Sequence, residues 1–159
     1  MTYTPTRQVR GRSDETECNV KIRARVQNSY GEHHVTLTTN GNAHPIVIAP
    51  KASGLGSSAN GGELLFLALA TCFCNDIYRE AAKRGIEVER VEVDVDGQFG
   101  AEGEPATHVT YQARVVAHAA EAEIRNLMQH TDTLAEIQNT LRVQTPVTLE
   151  RIEAVSILP

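Results

Sequence analysis

The feature that most constrains the fold of this chain is the apolar run Leu64-Leu65-Phe66-Leu67-Ala68-Leu69-Ala70-Thr71-Cys72-Phe73-Cys74. It follows a loop of small residues and opens the longest helix that the sequence predicts. Asn60 and Glu63, three positions apart, form a variant of the capping box in which Asn60 serves the free backbone N–H groups. Lys83 and Arg84 suit the last turn, and Gly85 supplies the C′ residue, so the helix is expected to run from about 60 to 84. Its first half is apolar on every side and is expected to be buried all round. Its second half, Asn75 to Lys83, is amphipathic and is expected to reach the surface. The run is well short of the ~20 apolar residues that a bilayer span needs.

The segments on either side read mainly as strands. Val20, Ile22, Ala24 and Val26 alternate with Lys21, Arg23, Arg25 and Gln27, the pattern of a half-buried strand. Asn28 to Gly31 supplies a turn and His34 to Thr38 the next strand. Asn40-Gly41 is a hairpin signal leading into Ile46-Val47-Ile48. After the helix, Val88, Val91, Val93 and Val95 predict one strand, with strict alternation only from Val91. Val109, Tyr111, Ala113 and Val115 predict another. Ile124, Leu127, Met128 and Thr131 have helical spacing, Leu134, Ile137, Gln138 and Leu141 mark a shorter helix, and Pro146 to Val155 a last strand. The fold class is α+β with antiparallel sheets. Residues 1–16 are polar and aperiodic, an N-terminal arm, and residues 17–159 are expected to form a single domain.

With 159 residues the chain can bury a core without disulfide staples, and without Trp that core must be built from Val, Ile, Leu and Ala. A net charge of −5 with scattered Lys and Arg provides no basic stripe, which argues against nucleic acid and membrane surfaces as partners. The first ten residues are polar, unlike a secretory leader. Three cysteines without regular spacing point to a reducing compartment, with the cytoplasm as the expected location.

Asn60-Gly61-Gly62-Glu63-Leu64-Leu65, the apolar stretch after it and Ala70-Thr71-Cys72 resemble the signature of the OsmC/Ohr family of thiol-dependent peroxidases. Ala81-Ala82-Lys83-Arg84-Gly85-Ile86-Glu87-Val88, the Gly54 to Ser58 loop and Gln138-Asn139-Thr140-Leu141 fit the same layout. The resemblance extends over about residues 18 to 155. It implies an intertwined homodimer, with two antiparallel sheets wrapped around long, buried central helices. It also implies that Cys72 is the reactive thiol, reducing or sensing small organic hydroperoxides. The family's acidic residue aligns with Gly62, and a slip of one residue would give the role to Glu63. The activating cation is an arginine from the arm or early strands: Arg10 and Arg12 are preferred, with Arg23 and Arg25 also available. Ala135 stands where the family's second, resolving sulfur would be, so turnover would need an external thiol reductant. The alternative is a non-catalytic protein that binds a small hydrophobic ligand at the dimer interface.

Neither remaining cysteine is a good partner for Cys72. Cys74 points about 200° around the helix from it, and Cys18 stands at the start of the first strand. The thiolate is the reactive form, and burial in an apolar helix disfavours it unless a cation is near. Gly54, Gly56, Gly61 and Gly62 match neither a P-loop nor a dinucleotide fingerprint. The six histidines have no metal-ligand spacing, so no metal or cofactor is expected, and His130 beside Thr131 and Asp132 is the one to inspect. Asp132 and Glu136, four apart, read as a solvated helix face.

Overall fold

The computed structural model describes residues 19–154, which divide after Ser58 into two compact units. The first is an antiparallel meander of β1 (Ile22–Ser29), β2 (Glu32–Thr39) and β3 (Asn42–Ile46), in that spatial order. Asn40 and Gly41 both have positive φ, 49° and 84°, as a two-residue hairpin with the strands' right-handed twist requires. The Asn40 side chain also accepts the Lys21 N–H at 2.9 Å, fixing the start of β1. Strand β1 runs on through Asn28 and Ser29, which were expected in the turn, because Ser29 pairs with Glu32 and only Tyr30-Gly31 is left to reverse the chain. Strand β3 begins directly after the hairpin and stops at Ile46, earlier than the Ile46-Val47-Ile48 expectation. The small-residue loop beyond it folds on itself through Ser58 N–H to Ala49 O, 2.8 Å. Asn28 clips that loop by accepting the Gly56 N–H at 3.0 Å.

The second unit is built on α1 (Gly61–Arg84), a helix of 24 residues. Both halves of the capping box form: Glu63 N–H donates to Asn60 Oδ1 at 3.0 Å, and Glu63 Oε2 accepts the Asn60 N–H at 2.7 Å. Gly85 ends the helix in the left-handed conformation, φ 67°. Strands β4 (Val88–Phe99) and β5 (Ala106–Ala117) form an antiparallel ribbon, followed by α2 (Glu121–Leu134) and α3 (Glu136–Arg142). A register shift between Val88 and Arg90 explains why the alternation becomes strict only from Val91.

One face of α1 supplies Phe73, Ile77 and Ala81 to the core, where they meet Leu127 of α2 and Ala135. Val91, Val93, Tyr111 and Ala113 of the ribbon close it from the other side. The Phe73 and Tyr111 rings lie 5.0 Å apart in a tilted arrangement. Fully burying an aromatic or branched side chain of this size stabilises by ~1.5–3 kcal/mol.

The structure corrects three expectations here. Within one chain the first half of α1 is not buried all round, since Leu67 is 59% exposed while Leu69 and Phe73 are buried. One ribbon and two short helices can cover only one side of an all-apolar cylinder. In the second half, Asp76 and Glu80 are buried rather than at the surface, because they turn toward the core side and are neutralised there by arginine and lysine. Finally, residues 146–154 form no strand, and Val147, Leu149 and Ile152 stand exposed. A strand exists only by pairing with an edge, and this segment pairs with none among the described residues.

Candidate active site

Helical periodicity places Asp76 one turn above Cys72 on the same face of α1. The Cys72 thiol, half-buried, donates to Asp76 Oδ2 at 3.6 Å. Arg79, three residues further, grips the other oxygen: its Nη1 lies 2.7 Å from Asp76 Oδ1. The two oxygens of one buried carboxylate thus face different partners, a thiol and a guanidinium. The N-terminal turn of α3 closes the site. Glu136 Oε2 lies 3.8 Å from the Cys72 sulfur, and its other oxygen lies 3.5 Å from Arg79 Nη1. The Ile137 backbone N–H is also directed at the sulfur.

Burial pushes the Cys72 thiol above its ordinary pKa of 9.0, and the negative charges of Asp76 and Glu136 push it further, against the favourable Ile137 amide. Burial, together with repulsion from Glu136, likewise raises the Asp76 carboxyl despite Arg79 beside it. Arg79 is shared further, its Nε lying 3.1 Å from Glu80, which also receives Lys83 at 2.6 Å. The Cys72 sulfur and the two carboxylates lie within 4.8 Å of one another, a spacing that a cation could use. Arg79 already supplies the positive charge there.

Beside this cluster is a cavity of about 940 Å³, walled by Leu65 and Leu69 of α1, Val95 and Phe99 of β4, Tyr111 and Gln138. Cys72 is not part of its wall, but the wall touches the thiol's neighbours. Leu69 precedes Cys72 by three residues, and Gln138 follows Ile137. Gln138 Nε2 donates to the Leu69 carbonyl at 3.0 Å, tying α3 to α1, while its Oε1 has no partner among the described residues.

The residues singled out from sequence fare differently. Cys72 is the centre of the cluster. Glu63 is engaged in the capping box and, nine residues away, lies about 13.5 Å along the axis and half a turn around from Cys72, so one chain does not bring the two together. Arg10, Arg12 and Cys18 lie outside the described residues. Arg23 and Arg25 are exposed on β1, in the first unit. Cys74 is a free thiol, partly buried. His130 lies 3.9 Å from Glu80. Asp132 and Glu136 do not share a helix face, because the chain breaks at Ala135. Asp132 instead accepts from Tyr111 and pairs with Arg142 at 2.6 Å. Sequence reasoning missed Asp76, Arg79 and Glu136. The signal for the first two was the spacing of Cys72, Asp76 and Arg79, which aligns them on one helical face. Glu136 had no local signal. Ala135 itself is buried, and its neighbours Glu136 and Ile137 are the residues that meet the sulfur.

A family model described as "OsmC-like protein" matches residues 54–150, more than half of the chain. The chain belongs to the OsmC-like protein family. Among solved structures, the OsmC-like protein of Mycoplasma pneumoniae is 17% identical, with 76% of this chain and 87% of that one covered and a TM-score of 0.51. An organic hydroperoxide resistance protein from Legionella pneumophila is 18% identical, over 80% of this chain and 92% of that one, with a TM-score of 0.46. The organic hydroperoxide resistance protein of Bacillus subtilis is 19% identical, over 78% and 90%, with a TM-score of 0.45. The likeness to the Mycoplasma pneumoniae protein is one of fold. No curated protein matches the chain. Among the described residues of this OsmC-like protein, no helix is long and apolar enough to cross a membrane.

Proposed function

We propose that this OsmC-like protein reduces organic hydroperoxides through Cys72, as a one-cysteine enzyme regenerated by an external thiol. The observation that carries the reading is the setting of the thiol: half-buried, with a carboxylate at 3.6 Å to receive its proton and an amide N–H directed at the sulfur. The sulfur attacks the terminal oxygen of ROOH, the O–O bond breaks, and the thiol proton ends on the alcohol: Cys–SH + ROOH → Cys–SOH + ROH. Sulfur is oxidised by two electrons and the peroxide is reduced by two. Two equivalents of an external thiol then return Cys–SOH to Cys–SH, releasing water and a disulfide. The apolar cavity beside the cluster favours a peroxide with an organic group over hydrogen peroxide. A reducing compartment such as the cytoplasm would supply that thiol. The assembly we propose is a homodimer, supported by the uncovered apolar side of α1 around Leu67.

The same cavity favours a second reading, a binding protein whose thiol is inert. One measurement separates the two. The reduced protein is treated with an organic hydroperoxide, and each cysteine is followed by peptide mass spectrometry beside a Cys72→Ser control. Rapid sulfenylation confined to Cys72 is expected. Equal, slow oxidation of all three cysteines would leave binding as the function.

A further inference from the structure

We propose that Asp76 is the proton shuttle of this reaction: it takes the Cys72 proton as the sulfur attacks and returns it to the departing alkoxide. The inference rests on the peroxide reading above and deepens it.

Two steps of the chemistry need a proton moved. The thiol must lose one, because the thiolate is the nucleophile. The alkoxide must gain one, because an unprotonated alkoxide is a poor leaving group. A single carboxylate that starts and ends ionised serves both, so the site needs no net proton from solvent. Asp76 meets the geometric requirement, since its Oδ2 lies 3.6 Å from the sulfur, nearer than the Glu136 carboxylate. Its side chain is 5% exposed, which keeps bulk water from taking its place. Arg79 holds Oδ1 at 2.7 Å and so keeps Oδ2 turned toward the thiol, making Arg79 a positioning residue. The helix makes this arrangement rigid, with the thiol, the carboxylate and the guanidinium at positions i, i+4 and i+7 of one face.

Glu136 is less suited to the role. It stands further from the sulfur, at 3.8 Å, and its side chain is 65% exposed, so its proton exchanges with water rather than waiting for the alkoxide. Among the described residues, the titratable and charged groups against Asp76 are Cys72 and Arg79 from α1 and Glu136 from α3. Helix α2 directs His130 at Glu80 instead, and the ribbon meets this face through Val91, Val93, Tyr111 and Ala113, of which Tyr111 gives its hydroxyl to Asp132. Burial and the Glu136 charge raise the Asp76 carboxyl. A raised carboxyl is the better base for the first transfer, and an alkoxide, far more basic than any carboxylate, still draws the proton from it in the second.

The test compares two oxidants that differ in leaving group. An alkyl hydroperoxide expels an alkoxide and needs the acid, whereas a peroxyacid expels a carboxylate and does not. Sulfenylation rates of Cys72 are measured for wild type and Asp76→Asn, with circular dichroism to verify folding. Asp76→Asn is expected to lose on the order of 10²-fold with the alkyl hydroperoxide and less with the peroxyacid, which needs Asp76 only as the base. In wild type, a solvent deuterium isotope effect is expected to be larger for the alkyl hydroperoxide, a readout that holds whether or not the variant folds. A variant as fast as or faster than wild type with the alkyl hydroperoxide would overturn the shuttle, because Asp76 would then only restrain the thiol. Equal losses with both oxidants, or equal isotope effects, would overturn it as well. A wild-type Cys72 inert to both oxidants would overturn the peroxide reading itself, and this role with it.

Discussion

At Cys72 one amide N–H favours the thiolate, while burial and two carboxylates oppose it. The resting thiol is therefore held protonated at neutral pH, and its alkylation by iodoacetamide should rise with pH through a midpoint above 9. Glu136 contributes repulsion without being buried, so Glu136→Gln should move that midpoint to lower pH and leave the fold intact. A midpoint unchanged in the variant would mean that solvent screens Glu136 from the sulfur. None of this was legible from the cysteine motif alone. The motif marks the nucleophile, but the second half of α1 reads as amphipathic, and that pattern sends Asp76 and Glu80 to water. They are buried because Arg79 and Lys83 neutralise them, a pairing that a hydrophobicity pattern does not register.

At the scale of elements, the ends of α1 were the most legible part of the chain. Asn60, Glu63 and Gly85 act through backbone groups a few residues away, so their meaning is local. Asn60→Ala should lower the free energy of unfolding by about 0.5–2 kcal/mol, as read by urea titration. Glu63→Gln, which can still accept the Asn60 N–H, should leave it within a few tenths of that of wild type. A large loss of stability in Glu63→Gln would mean that its charge, and not its place in the box, is what matters. The strand expected at Pro146 to Val155 failed for the opposite reason. Its alternation is real, with Val147 and Leu149 two apart, but a strand is completed by a neighbouring edge that sequence pattern cannot supply. The break at Ala135, which carries α3 to the thiol, had no sequence signal in Gly or Pro.

For the whole molecule, the decisive feature is an apolar helix that its own unit covers on one side. If two copies pack along α1, Leu67 lies in the interface, and Leu67→Asp would bury a charge without a partner. The variant should lose the dimer, either as insoluble protein or as a destabilised monomer by light scattering. A well-folded monomer in wild type, or an unaltered dimer in the variant, would place the contact elsewhere.

Much of the wall around the thiol is delivered by α3, a helix of seven residues. A helix that short does not stand alone in water. It is held by the Gln138 bond to the Leu69 carbonyl, by the contacts of its first turn with Cys72 and Arg79, and by Asn139 and Arg142, which bond to Thr133 and Asp132 of α2. Short segments secured mainly by polar contacts open locally before the whole protein unfolds. The rate at which a bulky reagent labels Cys72 will therefore act as a clock for the opening of α3. Amide hydrogen exchange at Ile137 and Gln138 should keep the same time.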